Sequence, residues 1–219
     1  MAIVLNSSKY HIELDSEIII GAMGEYDKIF NALSSDNVYY LDKLFSVSNK
    51  KVSSLLDNTN NKTIELLKEY NLGEEVLNKK INELSHSEQK LLKYVLMLLS
   101  NKKIIIIDEP FLDLDYENKK KISLLIKRMV KDNKTIIIGS NDSNIIYSLC
   151  KKVLFINDND YYYGSVDIMK NDEILRNYHI EMPDLVYFTD LARKKNIKVG
   201  YFKDVRDLIK DVYRNVSQK

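Results

Sequence analysis

Three stretches of the chain are apolar and rich in β-branched residues with little interruption: Glu17 to Gly21, Lys103 to Ile107 and Thr135 to Gly139. A fourth, Val153 to Ile156, follows. A strand with one wet face alternates apolar and polar residues. A continuous run marks a strand covered on both faces, as in a parallel sheet under helices. Between these runs the period lengthens. Leu91, Leu92, Val95, Leu96 and Leu99 fall on one face of a helix, and Ile122, Leu125, Ile126, Met129 and Val130 on one face of another. Strand and helix in alternation predict an α/β fold. From Asp184 to Val216 two more helices are expected, one carried by Leu185, Phe188, Leu191 and Ala192, the other by Val205, Leu208, Ile209 and Val212. The only prolines are Pro110 and Pro183, and glycine is sparse, so few long loops are expected. The polar run Asn58 to Lys62 reads as a turn joining an N-terminal piece to a helical one.

Composition narrows the function classes. Lysine and arginine number 33 against 32 acidic residues, a net charge of +1. Nucleic-acid binders usually carry a clear positive surplus, so nucleic acid is not the expected partner. Cys150 is the single cysteine, which excludes an internal disulfide and points to a reducing compartment. No apolar run reaches the ~18 residues of a membrane span. Met1 to Tyr10 has no charged start followed by an apolar core, so no signal peptide is expected. Any membrane association is expected to go through a protein partner.

Candidate chemistry concentrates between Leu84 and Asp115. Leu84-Ser85-His86-Ser87-Glu88-Gln89 opens a helix, and Ser85 with Glu88 has the spacing of a capping box. Such a helix start offers free amides and the positive end of the dipole to an anion. Next comes Ile104-Ile-Ile-Ile-Asp108-Glu109-Pro110, then Leu112-Asp-Leu-Asp115. A buried strand ending in Asp-Glu sets two carboxylates at the strand's carboxyl end, where α/β proteins bind ligands.

In this order the block resembles the ABC ATPase family. There the sequence runs Leu-Ser-Gly-Gly-Gln, a helix, four apolar residues and Asp-Glu-Pro, and a loop ending in Leu-Asp. The resemblance implies that Asp108 belongs to the magnesium shell and that Glu109 acts toward the attacking water. It also implies that Ser85 faces the phosphate of ATP bound by another subunit. His86 and Ser87 stand where that family has two glycines. Downstream, Thr135-Ile-Ile-Ile-Gly-Ser-Asn-Asp142 puts Asn141 in the family's switch-histidine position. An asparagine can hydrogen-bond a phosphate but carries no proton. Cys150-Lys-Lys-Val resembles the family's Cys-Asp-Arg-Val stretch, with Cys150 expected to be small and buried.

The phosphate loop departs from the pattern. The family has Gly-x-x-Gly-x-Gly-Lys-Ser/Thr; here Gly21 and Gly24 match, Tyr26 replaces the third glycine, Asp27 the lysine, and Lys28 the hydroxyl residue. The loop amides, lysine and hydroxyl ordinarily hold the phosphates and magnesium. Lys28 takes the lysine's part only if the loop absorbs one more residue, and Ile29 then offers no ligand to the metal. Asp42, in Tyr39-Tyr-Leu-Asp-Lys-Leu-Phe45, stands near the family's Q-loop glutamine. Tyr10 is the candidate adenine platform. The resemblance therefore implies ATP and Mg²⁺ as cofactors, both weakened or lost at the chain's own site.

The tail narrows the family. Asp167-Ile-Met-Lys-Asn-Asp-Glu-Ile-Leu175, His179-Ile-Glu-Met-Pro183 and two helices resemble the C-terminal extension of energy-coupling-factor ATPases, which contributes to dimerisation. The expected fold is a P-loop NTPase-like nucleotide-binding domain with a parallel sheet over 1–165, carrying a shortened helical insert at about 46–100, and a helical extension over 166–219. The expected function is the ATP-binding subunit of an energy-coupling-factor-type transporter. It would couple ATP binding and hydrolysis in an ATPase dimer to uptake of a small molecule. Its expected partners are a second, intact ABC ATPase and a membrane coupling subunit, on the cytoplasmic face of the membrane. Two alternatives stand beside it: a catalytically inactive scaffold, and a soluble ABC ATPase not linked to transport.

Overall fold

The computed structural model describes residues 3–6, 10–30, 37–42, 49–56 and 60–216. Two compact units divide the chain, one made of 1–32 and 137–219, the other of 33–136.

The first unit opens with a hairpin, β1 (Ile3–Asn6) paired antiparallel with β2 (His11–Leu14), which buries Ile12 and Leu14. β3 spans Ile19–Gly24 and runs parallel to β7 (Lys152–Ile156), from Ile20 beside Lys152 to Gly24 beside Ile156. β8 (Tyr161–Ser165) pairs antiparallel with β7. The local strand order is β6-β3-β7-β8, where β6 is Thr135–Gly139 and only its last residues lie in this unit. Helices α1 (Asp27–Phe30) and α5 (Ser143–Leu149) follow β3 and β6, and α6 (Asp172–Asn177) follows β8. The apolar run predicts β3 at Glu17 to Gly21, but the strand begins at Ile19 and continues to Gly24. Glu17 sits at φ +58, a left-handed turn conformation that cannot continue a strand. The two C-terminal helices form as the periodicity predicts: α7 over Asp184–Lys194 and α8 over Val205–Val216. They share a small core of Ala192, Val199 and Leu208, with Leu185, Phe202 and Val212 packed against it.

The second unit holds β4 (Val38–Leu41), parallel to β5 (Ile104–Asp108), and the start of β6, whose Thr135 amide donates to the Lys103 carbonyl at 2.9 Å. The local order is β4-β5-β6. Its helices are α2 (Asn61–Glu69), α3 (His86–Ser100) and α4 (Tyr116–Lys131). Among the described residues, short 3₁₀ turns lie at Val52–Leu55, Glu74–Asn78 and Ile81–Glu83. Asn60 caps α2 by accepting the Thr63 amide, so the expected turn at Asn58 to Lys62 ends in a helix start; residues 58 and 59 lie outside the described residues.

With so few glycines, asparagine ends four of the described helices. Asn71 follows α2, Asn101 caps α3, Asn133 follows α4 and Asn196 follows α7, at φ of 58, 50, 58 and 61°. Asparagine tolerates this left-handed cap better than other side chains do.

Candidate functional site

In the first unit, the residues of the phosphate-loop motif form a tight strand–turn–helix. Only Glu25 and Tyr26 separate the end of β3 from the start of α1. Gly21 lies inside β3, where a Cβ would meet Ile146 of α5 at 2.4 Å, so this glycine serves helix–strand packing. Gly24 stands at φ +81, and a Cβ there would lie 2.2 Å from the Ile156 carbonyl oxygen. The Gly24 amide donates to the Asn141 Oδ1 at 2.8 Å, and the Glu25 amide to the Ile156 carbonyl at 3.1 Å. Two amides at the start of the motif are thus engaged within the protein. Tyr26 is 4% exposed. Its ring lies 5.0 Å from that of Phe30, and a Cβ on Gly139 would come within 2.5 Å of both rings.

Lys28 is exposed, and its Nζ lies 2.7 Å from both Glu25 Oε2 and Asp158 Oδ1. The hydrogen bonds it donates, first to Asp158 and then to Glu25, push its pKa upward. Asp27 is exposed in the first turn of α1. Asn141 is exposed just beyond β6, while the next residue, Asp142, caps α5 through the Asn144 and Ile145 amides. Tyr10, the adenine-platform candidate, donates its hydroxyl to the Asn157 carbonyl and meets Tyr161 edge to face, centroids 5.6 Å apart.

In the second unit, β5 delivers Asp108, 1% exposed, at its carboxyl end. Glu109 follows at φ +46 and is half-buried; Asp113 stands at φ +62. Non-glycine residues seldom adopt this conformation, and it concentrates at functional sites. The α3 start forms the reciprocal capping box that its sequence predicts. Ser85 Oγ accepts the Glu88 amide at 3.2 Å, and Glu88 Oε2 accepts the Ser85 amide and hydroxyl, each at 2.8 Å. Those bonds, led by the one from the Ser85 amide, lower the Glu88 pKa. His86 Nδ1 lies 3.9 Å from Asp113 Oδ2, both exposed. Asp42 is exposed at the end of β4, and its carbonyl accepts a bond from Lys93. Residues 43–45 of the Q-loop-like stretch lie outside the described residues.

A buried polar row on α3 escaped the apolar pattern. Lys90 Nζ donates to the Asp108 carbonyl at 3.0 Å, Lys93 Nζ to the Asp42 carbonyl at 2.7 Å, and the Tyr94 hydroxyl to the Pro110 carbonyl at 2.8 Å. Burial lowers both lysine pKa values, that of Lys90 to about 8. The helical period marks the Leu91, Leu92 and Val95 face; the spacing of Lys90, Lys93 and Tyr94 at i, i+3 and i+4 was the signal for a second buried face.

Among the described residues no group of three or more His, Cys, Asp or Glu side chains is arranged to hold a metal. In the second unit Asp108 supplies one buried carboxylate, and the Lys90 ammonium lies on the Asp108 carbonyl. A magnesium ion is ordinarily held by one or two carboxylates, with water and substrate phosphates supplying its other oxygens, and Asp108 is one such carboxylate.

No family model matches the chain. Two relatives are the zinc import ATP-binding protein ZnuC of Ehrlichia chaffeensis and the energy-coupling factor transporter ATP-binding protein EcfA2 of Staphylococcus aureus. The first is 28% identical over 75% of this chain and 65% of its own length, the second 26% over 72% and 56%. The match thus spans less than two thirds of either relative. Among solved structures, the dimeric ATP-binding cassette MJ0796 bound to ADP and Pi superposes with a TM-score of 0.57 at 17% identity, covering 75% of this chain and 96% of that one. The cbiO1 component of the cbiONQ ABC transporter complex from Clostridium perfringens gives 0.54 at 17%, covering 83% and 90%.

The fold is like that of these ATP-binding cassette structures, an α/β structure with a mostly parallel sheet. In sequence the chain is similar to the ATP-binding subunits of ABC transporters.

Proposed function

We propose that this chain is the ATP-binding-cassette subunit of an energy-coupling-factor-type uptake transporter, with its own phosphate site too weak for turnover. The observation that carries the reading is the closed loop after β3. The Gly24 and Glu25 amides end on Asn141 and Ile156, and a buried tyrosine fills the position of the third glycine. Phosphoryl transfer depends on positioning and on stabilising charge, and this loop supplies little of either. ATP and Mg²⁺ therefore bind weakly at this chain's own site.

The partner is a second, intact ABC ATPase in a hetero-dimer, seated with this chain on a membrane coupling subunit at the inner face of the membrane. Support comes from Ser85 at the start of α3, a helix start useful to another chain's ATP. It comes also from the C-terminal extension, where Tyr187, Phe188 and Leu191 of α7 and Val205, Ile209 and Tyr213 of α8 are exposed. Exposed apolar groups gathered on two neighbouring helices mark interaction surfaces. No helix among the described residues is long and apolar enough to cross a membrane, so a coupling subunit supplies the membrane contact. Small-molecule uptake follows from the transporter type.

Co-purification from native membranes tests the reading. A second ABC ATPase and a membrane subunit are expected in stoichiometric amount. Recovery of this chain alone, as a monomer or as a homodimer that binds ATP tightly, would contradict it.

A further inference from the structure

The second unit holds a recess of about 370 Å³ between β4, the 3₁₀ turn at Val52–Leu55, the start of α2 and the end of α3. Four leucines line it: Leu55 and Leu56 from the turn, Leu96 and Leu99 from α3. Leu96 and Leu99 continue the apolar face of α3 on which Leu91, Leu92 and Val95 are buried, but they and Leu55 stay half-buried at the recess. One apolar side chain left part-wet means little. Several converging on one hollow give up water favourably to an apolar occupant.

Tyr39 of β4 adds a polar group. Burial pushes its pKa up to about 12. A buried tyrosine ordinarily pairs its hydroxyl, as Tyr94 does with the Pro110 carbonyl. The Tyr39 hydroxyl has no hydrogen-bond partner among the described residues. Asn60 also lines the recess; its Oδ1 accepts the Thr63 amide at 3.0 Å and the Thr63 hydroxyl at 3.2 Å, which leaves its amide nitrogen as a donor. Ser100 donates its hydroxyl to the Met97 carbonyl at 2.7 Å. No lining residue is charged at neutral pH.

Sites for small molecules are hollows of about 300–1,000 Å³, mostly apolar, with a few convergent polar groups. We propose that the recess binds a small neutral molecule, largely apolar, whose one hydrogen-bond acceptor, a carbonyl or similar oxygen, takes the Tyr39 hydroxyl. An acceptor suits the site because the two unengaged groups, the Tyr39 hydroxyl and the Asn60 amide nitrogen, both donate. A charged ligand would lose its hydration with no counter-charge in the lining. Every contact used lies within residues 33–136, and neither nucleotide nor the proposed transport role enters.

The test uses the full-length chain and the dye Prodan, a neutral naphthalene ketone whose emission shifts to the blue in an apolar site. A trace of the dye is titrated with the protein. The expected result is saturable binding, with a blue shift and a Kd of about 0.2 mM or tighter. Tyr39→Phe removes only the hydroxyl and should weaken binding about fivefold to tenfold. Leu99→Glu sets a charge in the lining and should abolish binding; Leu55→Glu takes its place if circular dichroism shows that Leu99→Glu does not fold. Millimolar ATP should leave the dye bound. Absence of saturable binding by the wild type would overturn the inference, as would displacement by ATP or binding that the folded glutamate variant leaves intact. So would loss in the glutamate variant with none in Tyr39→Phe. That pattern belongs to an apolar hollow without a polar anchor, such as one that takes an apolar side chain of a partner protein.

Discussion

The amide of Gly24 donates to Oδ1 of Asn141 across 2.8 Å, so the residue in the switch position closes onto the turn that follows β3. The turn has little freedom to open. Gly24 needs its left-handed φ of +81, and a Cβ would press on the Ile156 carbonyl at 2.2 Å. Gly24→Ala is therefore expected to cost about 3 kcal/mol, the sum of an unfavourable φ and a forced backbone shift. Urea denaturation measures it. Asn141→Ala removes one acceptor at an exposed site and should cost about 1 kcal/mol or less.

Tyr26 and Gly139 form a matched pair. The tyrosine ring lies where a Cβ of residue 139 would fall, so neither position tolerates the other's change. Tyr26→Ala leaves a cavity and should lose about 3–5 kcal/mol. Gly139→Ala should lose more than a strand glycine ordinarily would, because it clashes with Tyr26 and Phe30. The Gly139→Ala, Tyr26→Ala double variant should lose less than the sum of the two single losses. Strict additivity in denaturant melts would argue against the contact.

The cap of α3 predicts a pH dependence. The Ser85 bonds lower the Glu88 pKa from its ordinary 4.5. The unfolded chain therefore binds more protons in this range than the folded one, and stability falls with acidification. The contribution is fully present above about 4.5 and is lost as pH falls through the lower folded value. Glu88→Gln should flatten the acid limb of a stability–pH curve. Ser85→Ala should cost about 1 kcal/mol at neutral pH.

Much of the fold was legible in the pattern of apolar positions. β6 and both C-terminal helices stand where unbroken runs and helical periods put them, because burial on two faces or one leaves a direct trace in sequence. β3 was misplaced by two residues at its start, since Glu17 adopts a left-handed turn that side-chain hydrophobicity does not report. The sequence placed Asp108 at the end of a buried strand and Ser85 with Glu88 in a helix cap, and both stand there. It did not reveal the fit of Tyr26 on Gly139, which depends on two residues 113 positions apart in the chain meeting in space. Nor did it reveal the buried lysines, because a lysine inside a helix ordinarily reads as solvent-facing.

Steady-state phosphate release by the purified chain tests the central claim most directly. A loop whose first amides are engaged within the protein, and whose Lys28 is held between Glu25 and Asp158, has little with which to stabilise a transferring phosphoryl group. The expected result is no turnover above background with millimolar ATP and Mg²⁺, unchanged in Glu109→Gln. Turnover of about 1 per second, abolished by Glu109→Gln, would contradict the account and mean that Lys28 leaves its carboxylate partners to serve the phosphates.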